Sequence, residues 1–186
     1  MRSVADCFAG HNGRLIDKWE HYLPIYEHHF AKYVGKPVSV LEIGVSHGGS
    51  LQMWKEYFGP QASIVGIDID PRCVAYEEDQ IMIYTANQAD SDFMTAFNGF
   101  DIVIDDGSHV ISDQEASFKA LWPSTRGVYL IEDCHQGYPE VNTSQALVRR
   151  YPWVMVLERP KRRIRGTPSR ELRQDEVDAI NLYSDV

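Results

Sequence analysis

The sequence predicts an α/β fold, a doubly wound and mostly parallel sheet. Short apolar runs rich in β-branched residues alternate with stretches of helical periodicity, the pattern of strands covered on both faces by helices. The first run also ends in a glycine-rich turn that leads into a helix, the arrangement at which open α/β sheets hold their ligands. A chain of 186 residues with 44% hydrophobic residues has the size for one domain with a real core.

Asp17–Tyr33 carries Trp19, Tyr22, Tyr26, Phe30 and Tyr33 at helical spacing, and Pro24 predicts a kink or two pieces. Val38–Ile43 reads as the first strand. Ser50–Phe58, with Leu51, Trp54 and Phe58 on one face, reads as the helix after it. Ser63–Ile67 and Ile81–Thr85 are the second and third strands, and Asp90 is placed to N-cap a helix. Asp101–Ile104 follows as a strand. Ser112–Leu121 reads as a helix opened by a Ser112–Glu115 capping box, which gives Glu115 a structural role. Val128–Ile131 and Trp153–Leu157 are the last strands. Near the end, Arg159, Lys161, Arg162, Arg163 and Arg165 form a basic run assigned to a closing hairpin, and Glu171–Leu182 reads as a final helix. The whole, 1–186, is taken as one domain, with 1–35 a helical cover and 36–186 the core.

A formal net charge of -9 repels phosphate backbones and argues against a nucleic-acid substrate. Cys7, Cys73 and Cys134 show neither zinc spacing nor a disulfide framework, which points to a reducing cytoplasm. No signal-peptide pattern opens the chain, and no apolar run approaches the roughly 20 residues that span a bilayer. The sequon Asn142-Thr143-Ser144 therefore has no expected meaning.

The strongest local signal is Leu41-Glu42-Ile43-Gly44-Val45-Ser46-His47-Gly48-Gly49-Ser50. Its glycines let the backbone pass close to a ligand. It is neither GxGxxG nor a P-loop. Glu42 at the strand end opposes a pyrophosphate and suits a cofactor carrying an ammonium and a sulfonium, which favours S-adenosylmethionine (SAM) over NAD. The next strand ends in Asp68, followed by Asp70, acids placed to accept ribose hydroxyls. Gln88 follows the third strand, where an amide can meet an adenine edge. Glu42, Gly44, His47, Gly48, Ser50, Asp68, Asp70, Gln88 and Asp105 are thus the cofactor-side candidates.

The fourth strand ends in Asp105-Asp106-Gly107-Ser108-His109, and the fifth in Glu132-Asp133-Cys134-His135. Adjacent strands bring such ends within about 4.8 Å. Carboxylates so close repel, a divalent cation relieves the repulsion, and oxygen donors suit Mg²⁺ or Mn²⁺. Asp106, Glu132 and Asp133 are the expected ligands. His109 follows Asp106 by three residues and is the expected general base.

These segments occur in an order that resembles one family. Asp17-Lys18-Trp19 with His21, the Leu-Glu-Ile-Gly-Val turn, Gly-Ile-Asp-Ile-Asp, Asn-Gln-Ala-Asp, Ile-Asp-Asp-Gly-Ser-His and Ile-Glu-Asp look like the macrocin and mycinamicin O-methyltransferases, Mg²⁺-dependent enzymes acting on macrolide sugars. Cephalosporin hydroxylase-like proteins are similar. The resemblance implies a class I methyltransferase fold with strand order 3-2-1-4-5-7-6, metal on Asp106, Glu132 and Asp133, and His109 as base. It also implies that the Asp17-Lys18-Trp19 segment covers the cofactor. Asn87 stands where the family commonly has an acid, the segment after Asp133 departs from the family's aromatic loop, and the long N-terminal domain of some members is missing.

The expected function is therefore O-methylation of a small-molecule hydroxyl, with SAM and Mg²⁺ or Mn²⁺ as cofactors, in antibiotic biosynthesis. The rivals are a catechol-type methyltransferase, a non-catalytic SAM-binding subunit and, last, a dehydrogenase. The expected partner is a small-molecule acceptor, with no nucleic acid and no membrane. A homo-oligomer is compatible with the basic run, although a solvated edge is its plainer reading.

Overall fold

In the computed structural model, residues 2–141 and 146–160 are described. The sequon, Lys161 to Arg165 of the basic run and the Glu171–Leu182 helix lie outside them. Seven strands form one sheet: β1 (Val38–Ile43), β2 (Ala62–Asp68), β3 (Ile81–Thr85), β4 (Ile102–Asp105), β5 (Val128–Ile131), β6 (Leu147–Tyr151) and β7 (Val154–Glu158). Their order is β3-β2-β1-β4-β5-β7-β6. The first five run parallel, β7 is antiparallel to β5, and β6 is antiparallel to β7. Every residue of β4 and β5 is buried, which is why they read as unbroken apolar runs.

Helices cover both faces. α1 (Val4–Ala9), α2 (Leu23–Phe30) and α3 (Gly49–Phe58) share a core with Val40, Ile64, Ile102 and Leu130. On the other face, α4 (Ser91–Met94) and α5 (Ile111–Leu121) contribute Met94, Phe118 and Leu121 to a core with Leu41, Val103 and Tyr129. Cys7, Cys73 and Cys134 are all buried and unpaired. Among the described residues, no helix is long and apolar enough to cross a membrane.

Three local expectations are corrected. β6 was not expected, because Leu147–Tyr151 is a half-exposed edge bearing Arg149 and Arg150 rather than an apolar run. Among the described residues the last hairpin is β6–β7, and Arg159, the one described residue of the basic run, follows it. α5 opens at Ile111 with Val110 as N-cap and no side-chain cap. Ser112 and Glu115 form no capping box. Glu115 instead accepts the Glu140 N–H at 2.8 Å. Elsewhere the local chemistry holds. Asp90 accepts from the Phe93 N–H. Pro24 sits in the first turn of α2, after a short 3₁₀ turn over Glu20–Tyr22, where its missing N–H costs nothing.

Candidate active site

The site lies along the carboxyl ends of the parallel strands, where α/β folds place ligands. At the end of β1, Gly44 has φ 91, and a Cβ there would lie 1.9 Å from the Asp106 carbonyl oxygen. Only glycine fits, so the turn presses directly against the end of β4. Asp68 organises this turn from β2: its Oδ2 accepts the N–H groups of Val45 (2.8 Å) and Ser46 (3.0 Å), and its Oδ1 accepts that of Asp70 (2.9 Å). A cleft of about 150 Å³ opens beside it, with Gly44, Asp68, Asn87, Gln88, Gly107 and Ser108 among its walls.

The cofactor-side candidates therefore divide. Gly44, Asp68 and Gln88 line the cleft. Gly48, in the left-handed region at φ 74, is the N-cap of α3. His47 is exposed and bonds only to its neighbour Ser46 (3.1 Å). Asp70 caps the following turn and pairs with Arg72 (2.5 Å). Gln88's amide is engaged within the fold: Nε2 donates to Asp105 Oδ1 (3.0 Å), and Oε1 accepts the Ser108 N–H (2.7 Å). Asp105 is fully buried, so it cannot touch a cofactor. It accepts from Ser117 Oγ (2.5 Å) as well as Gln88, and burial pushes its carboxyl up to about 6. Its part is to hold Gln88, and through it the Gly107–Ser108 wall.

Glu42 is the larger correction. It does meet an ammonium, but that ammonium is the chain's own. Lys18 Nζ lies 3.2 Å from Glu42 Oε1, 2.6 Å from Asp106 Oδ2 and 3.0 Å from Glu132 Oε2. The lysine side chain is 2% exposed. Trp54 Nε1 donates to the other Glu42 oxygen at 2.9 Å, and Ser50 also bonds to Glu42. Glu42 and Ser50 thus stand beneath the turn rather than in the cleft. Burial opposes the charge on Lys18, but Asp106 and Glu132 outweigh it and hold the ammonium well above its ordinary range. Burial raises Glu132 far above the usual carboxylate range and raises Glu42, with Lys18 opposing both shifts.

Sequence reasoning placed Lys18 only in a covering segment. The structure shows how it arrives. The chain before α2 crosses the start of α3, with Gly49 packed against the Arg14 and Leu15 carbonyls and the Arg14 N–H bonded to Gln52 (2.9 Å). Lys18 then turns inward. Spacing gives no sign of this, because the contact depends on a loop path.

One ammonium faces three carboxylates here, and Asp133 adds a fourth at the rim. Asp106, His109 and Asp133 each offer an atom within 4.8 Å of the others. Among the expected metal ligands, Asp106 and Asp133 therefore converge, with His109 Nε2 3.6 Å from Asp133 Oδ2. Glu132, 1% exposed, stays behind them on Lys18. His109 and Asp133 both have left-handed backbones, at φ 58 and φ 53, a conformation that stores strain at working sites. Asp133 Oδ1 accepts from Tyr22 Oη (2.6 Å), while its N–H donates to the same oxygen (3.2 Å). Burial, and then this bond, raise the Tyr22 phenol, so it stays a donor. The buried His109 Nδ1 has no hydrogen-bond partner among the described residues.

No family model matches the chain. It is similar to 8-demethyl-8-(2-methoxy-α-L-rhamnosyl)-tetracenomycin-C 3′-O-methyltransferase of Streptomyces olivaceus, 42% identical over 133 residues, covering 64% of this chain and 34% of that protein. It is also similar to mycinamicin VI 2″-O-methyltransferase of Micromonospora griseorubida, 40% identical over 130 residues, covering 63% and 32%. The chain thus spans about a third of the length of these curated relatives. Among solved structures, the MycE methyltransferase of the mycinamycin biosynthetic pathway, in complex with Mg, SAH and mycinamycin VI, superposes with a TM-score of 0.73 at 25% identity. The match covers 97% of this chain and 59% of that one. The fold is that of the class I methyltransferases, with the expected strand order.

Proposed function

We propose that this chain belongs to a SAM- and divalent-metal-dependent O-methyltransferase that methylates a hydroxyl on a sugar of a glycosylated natural product. The observation that carries the reading is the convergence of Asp106, His109 and Asp133 beside a cleft that Gly44 and Asp68 line. The names of the relatives and the Mg and SAH in the MycE complex support it.

The residues present fit a hard divalent cation. The donors are mostly oxygen, and Lys18 alone leaves the buried acids with a surplus of negative charge. Asp106 and Asp133 would hold the ion, with Glu132 as the third carboxylate and His109 at the rim. Bound at these places, SAM supplies an electrophilic methyl group and the metal ion lowers the pKa of an acceptor hydroxyl.

The chain's own residues do the rest. Asp68 and the glycine turn shape the wall on which the nucleoside rests, and Asp68 Oδ1 keeps a lone pair for a ribose hydroxyl. Asp105 and Gln88 fix the backbone between the cofactor cleft and Asp106. His109 Nε2, turned towards Asp133, receives the acceptor's proton. Tyr22 keeps Asp133 in place for this, and alignment of hydroxyl and methyl group contributes much of the rate. We place the reaction in the cytoplasm, which the three buried thiols support, and read residues 1–35 as a cover on a single catalytic domain.

A SAM-consumption screen over glycosides and catechols, with Mg²⁺ or excess chelator, tests the reading. Metal-dependent turnover of a glycoside is expected. Full activity in chelator refutes the metal, and turnover of catechols alone refutes the acceptor class. SAM should raise the melting temperature where NAD does not.

A further inference from the structure

The β6–β7 hairpin ends at Pro152 and Trp153, and the register places this tip at the site. Ile131 of β5 pairs with Met155 of antiparallel β7, so the chain leaving β5 and the chain entering β7 run side by side. The Cys134 N–H donates to the Trp153 carbonyl at 2.8 Å. Trp153 therefore stands next to Asp133, on the edge where the catalytic candidates meet.

Two features of Trp153 are costly. Its backbone is left-handed, φ 61, which a bulky side chain seldom adopts. Its side chain is nonetheless exposed, at 39%, and Trp19 beside it at 47%. Trp54, which serves the core, is fully buried. The two exposed indoles meet edge to face at 5.1 Å. The His135 ring closes the corner, 4.5 Å from Trp153 and 6.2 Å from Trp19, and its Nε2 lies 3.3 Å from Asp133 Oδ1. Trp19 is fixed in turn by Lys18, the next residue, whose ammonium is buried among the carboxylates. The left-handed backbone belongs to the two-residue turn between β6 and β7; the exposed, braced pair of indoles leaves apolar surface at the rim of a polar site.

We propose that Trp19 and Trp153 form the stacking wall of the acceptor subsite, against which the C–H face of a pyranose ring lies while its hydroxyl reaches Asp106, His109 and Asp133. This rests on the sugar O-methyltransferase reading. A hydroxyl held between Asp106 and Asp133 must bring its ring beside Asp133, and the His135 ring links that carboxylate (3.3 Å) to the Trp153 indole (4.5 Å). A pyranose presents hydroxyls at its rim and polarised C–H groups on its faces. The face of an indole carries the negative lobe of the aromatic quadrupole, so C–H groups rest on it while the rim hydroxyls stay with the carboxylates.

The test uses methyl α-L-rhamnopyranoside as probe, with saturation-transfer NMR for binding and SAM consumption for turnover. Transfer to the ring C–H protons is expected in the wild type and should be lost in Trp153→Ala and Trp19→Ala. Mn²⁺ binding by EPR and the SAM-induced melting shift should be kept. In turnover, Trp153→Ala should raise KM by about tenfold or more, with the loss falling on KM rather than kcat, and Trp153→Phe should recover most of it. Unchanged transfer and unchanged KM in Trp19→Ala, alongside a loss in Trp153→Ala that follows a lowered melting temperature and is not recovered in Trp153→Phe, would make the corner structural and overturn the proposal. The two readings fail separately. Transfer that depends on both tryptophans without methylation of any glycoside sustains the wall and refutes the chemistry. Methylation without transfer in the wild type sustains the chemistry and refutes the wall.

Discussion

At β2 and the turn after it the chain satisfies its own acids, whereas at the ends of β1, β4 and β5 it leaves them in surplus. Asp68 has three backbone N–H donors, and Asp70 has a backbone donor and Arg72. Those carboxylates shape a turn and have their charge met by donors of the chain itself. Glu42, Asp106 and Glu132 share one lysine, and Asp133 leans on a tyrosine. The difference separates two kinds of binding. On the proposed reading, a nucleoside would be neutral where it touched the first side and would need shape. A cation needs charge that the protein has not already neutralised, and buried charge of that kind is held only by strong local scaffolding.

The largest way to break this contrast is Lys18→Met. It strands Glu42 and Glu132 with no resident cation, and should cost about 3–5 kcal/mol at neutral pH, read by urea denaturation. The sign with pH is definite. Both carboxyls titrate above their ordinary range in the folded chain, so protons bind the folded state preferentially. Stability should therefore fall with rising pH, and more steeply in the variant. An unchanged denaturation midpoint would mean that Lys18 is not the counter-charge. Asp68→Ala comes next, at about 1.5–3 kcal/mol for a lost charged acceptor, together with weaker SAM binding by calorimetry. Its Mn²⁺ affinity should stay unchanged, because the metal side is built separately.

Asp105 gives a smaller effect, in slope. Its folded carboxyl sits at about 6 against an ordinary 3.8, so its contribution is full below about pH 4 and is lost as pH rises through 6. Glu158, lowered to about 2 by its bond to His29, acts with the opposite sign and at lower pH. Melting scans from pH 4 to 6.5 should show Asp105→Asn removing a slope of at most about 1.4 kcal/mol per pH unit. The smallest effect is His47→Ala. An exposed side chain bonded only to its neighbour should change stability by less than about 0.5 kcal/mol and SAM affinity less than Asp68→Ala does.

The elements legible in the sequence were those whose burial fixes their composition. The bounds of β1, β3 and β5 were readable to the residue: β5 is apolar and buried throughout, whereas β1 and β3 are runs rich in β-branched residues flanked by polar and turn residues. β6 was not, because Arg149 and Arg150 lie on an edge that packs on one side only. In the site, the pairing of the Gly44 turn with Asp68 and of Asp106 with Asp133 could be read from strand ends alone. Asp105 looked like a cofactor residue because an acid at a strand end has two faces to choose from, and only the tertiary contact with Ser117 and Gln88 chooses the inner one. Glu42 reads from the sequence as the partner of a cofactor's ammonium, whereas in the fold it pairs with Lys18. The cation's origin in a loop 24 residues earlier was beyond any periodicity.

The three cysteines carry a last consequence. Cys7 belongs to α1, Cys73 donates to the Ser46 carbonyl in the glycine turn at 3.3 Å, and Cys134 follows Asp133. Burial raises all three thiols, Cys73 to about 11 and Cys134 to about 12, so little thiolate is available in the native state. Alkylation must therefore wait for local opening. Its rate at each position becomes a separate clock for α1, the glycine turn and the end of β5, and mass spectrometry can read all three clocks in one protein.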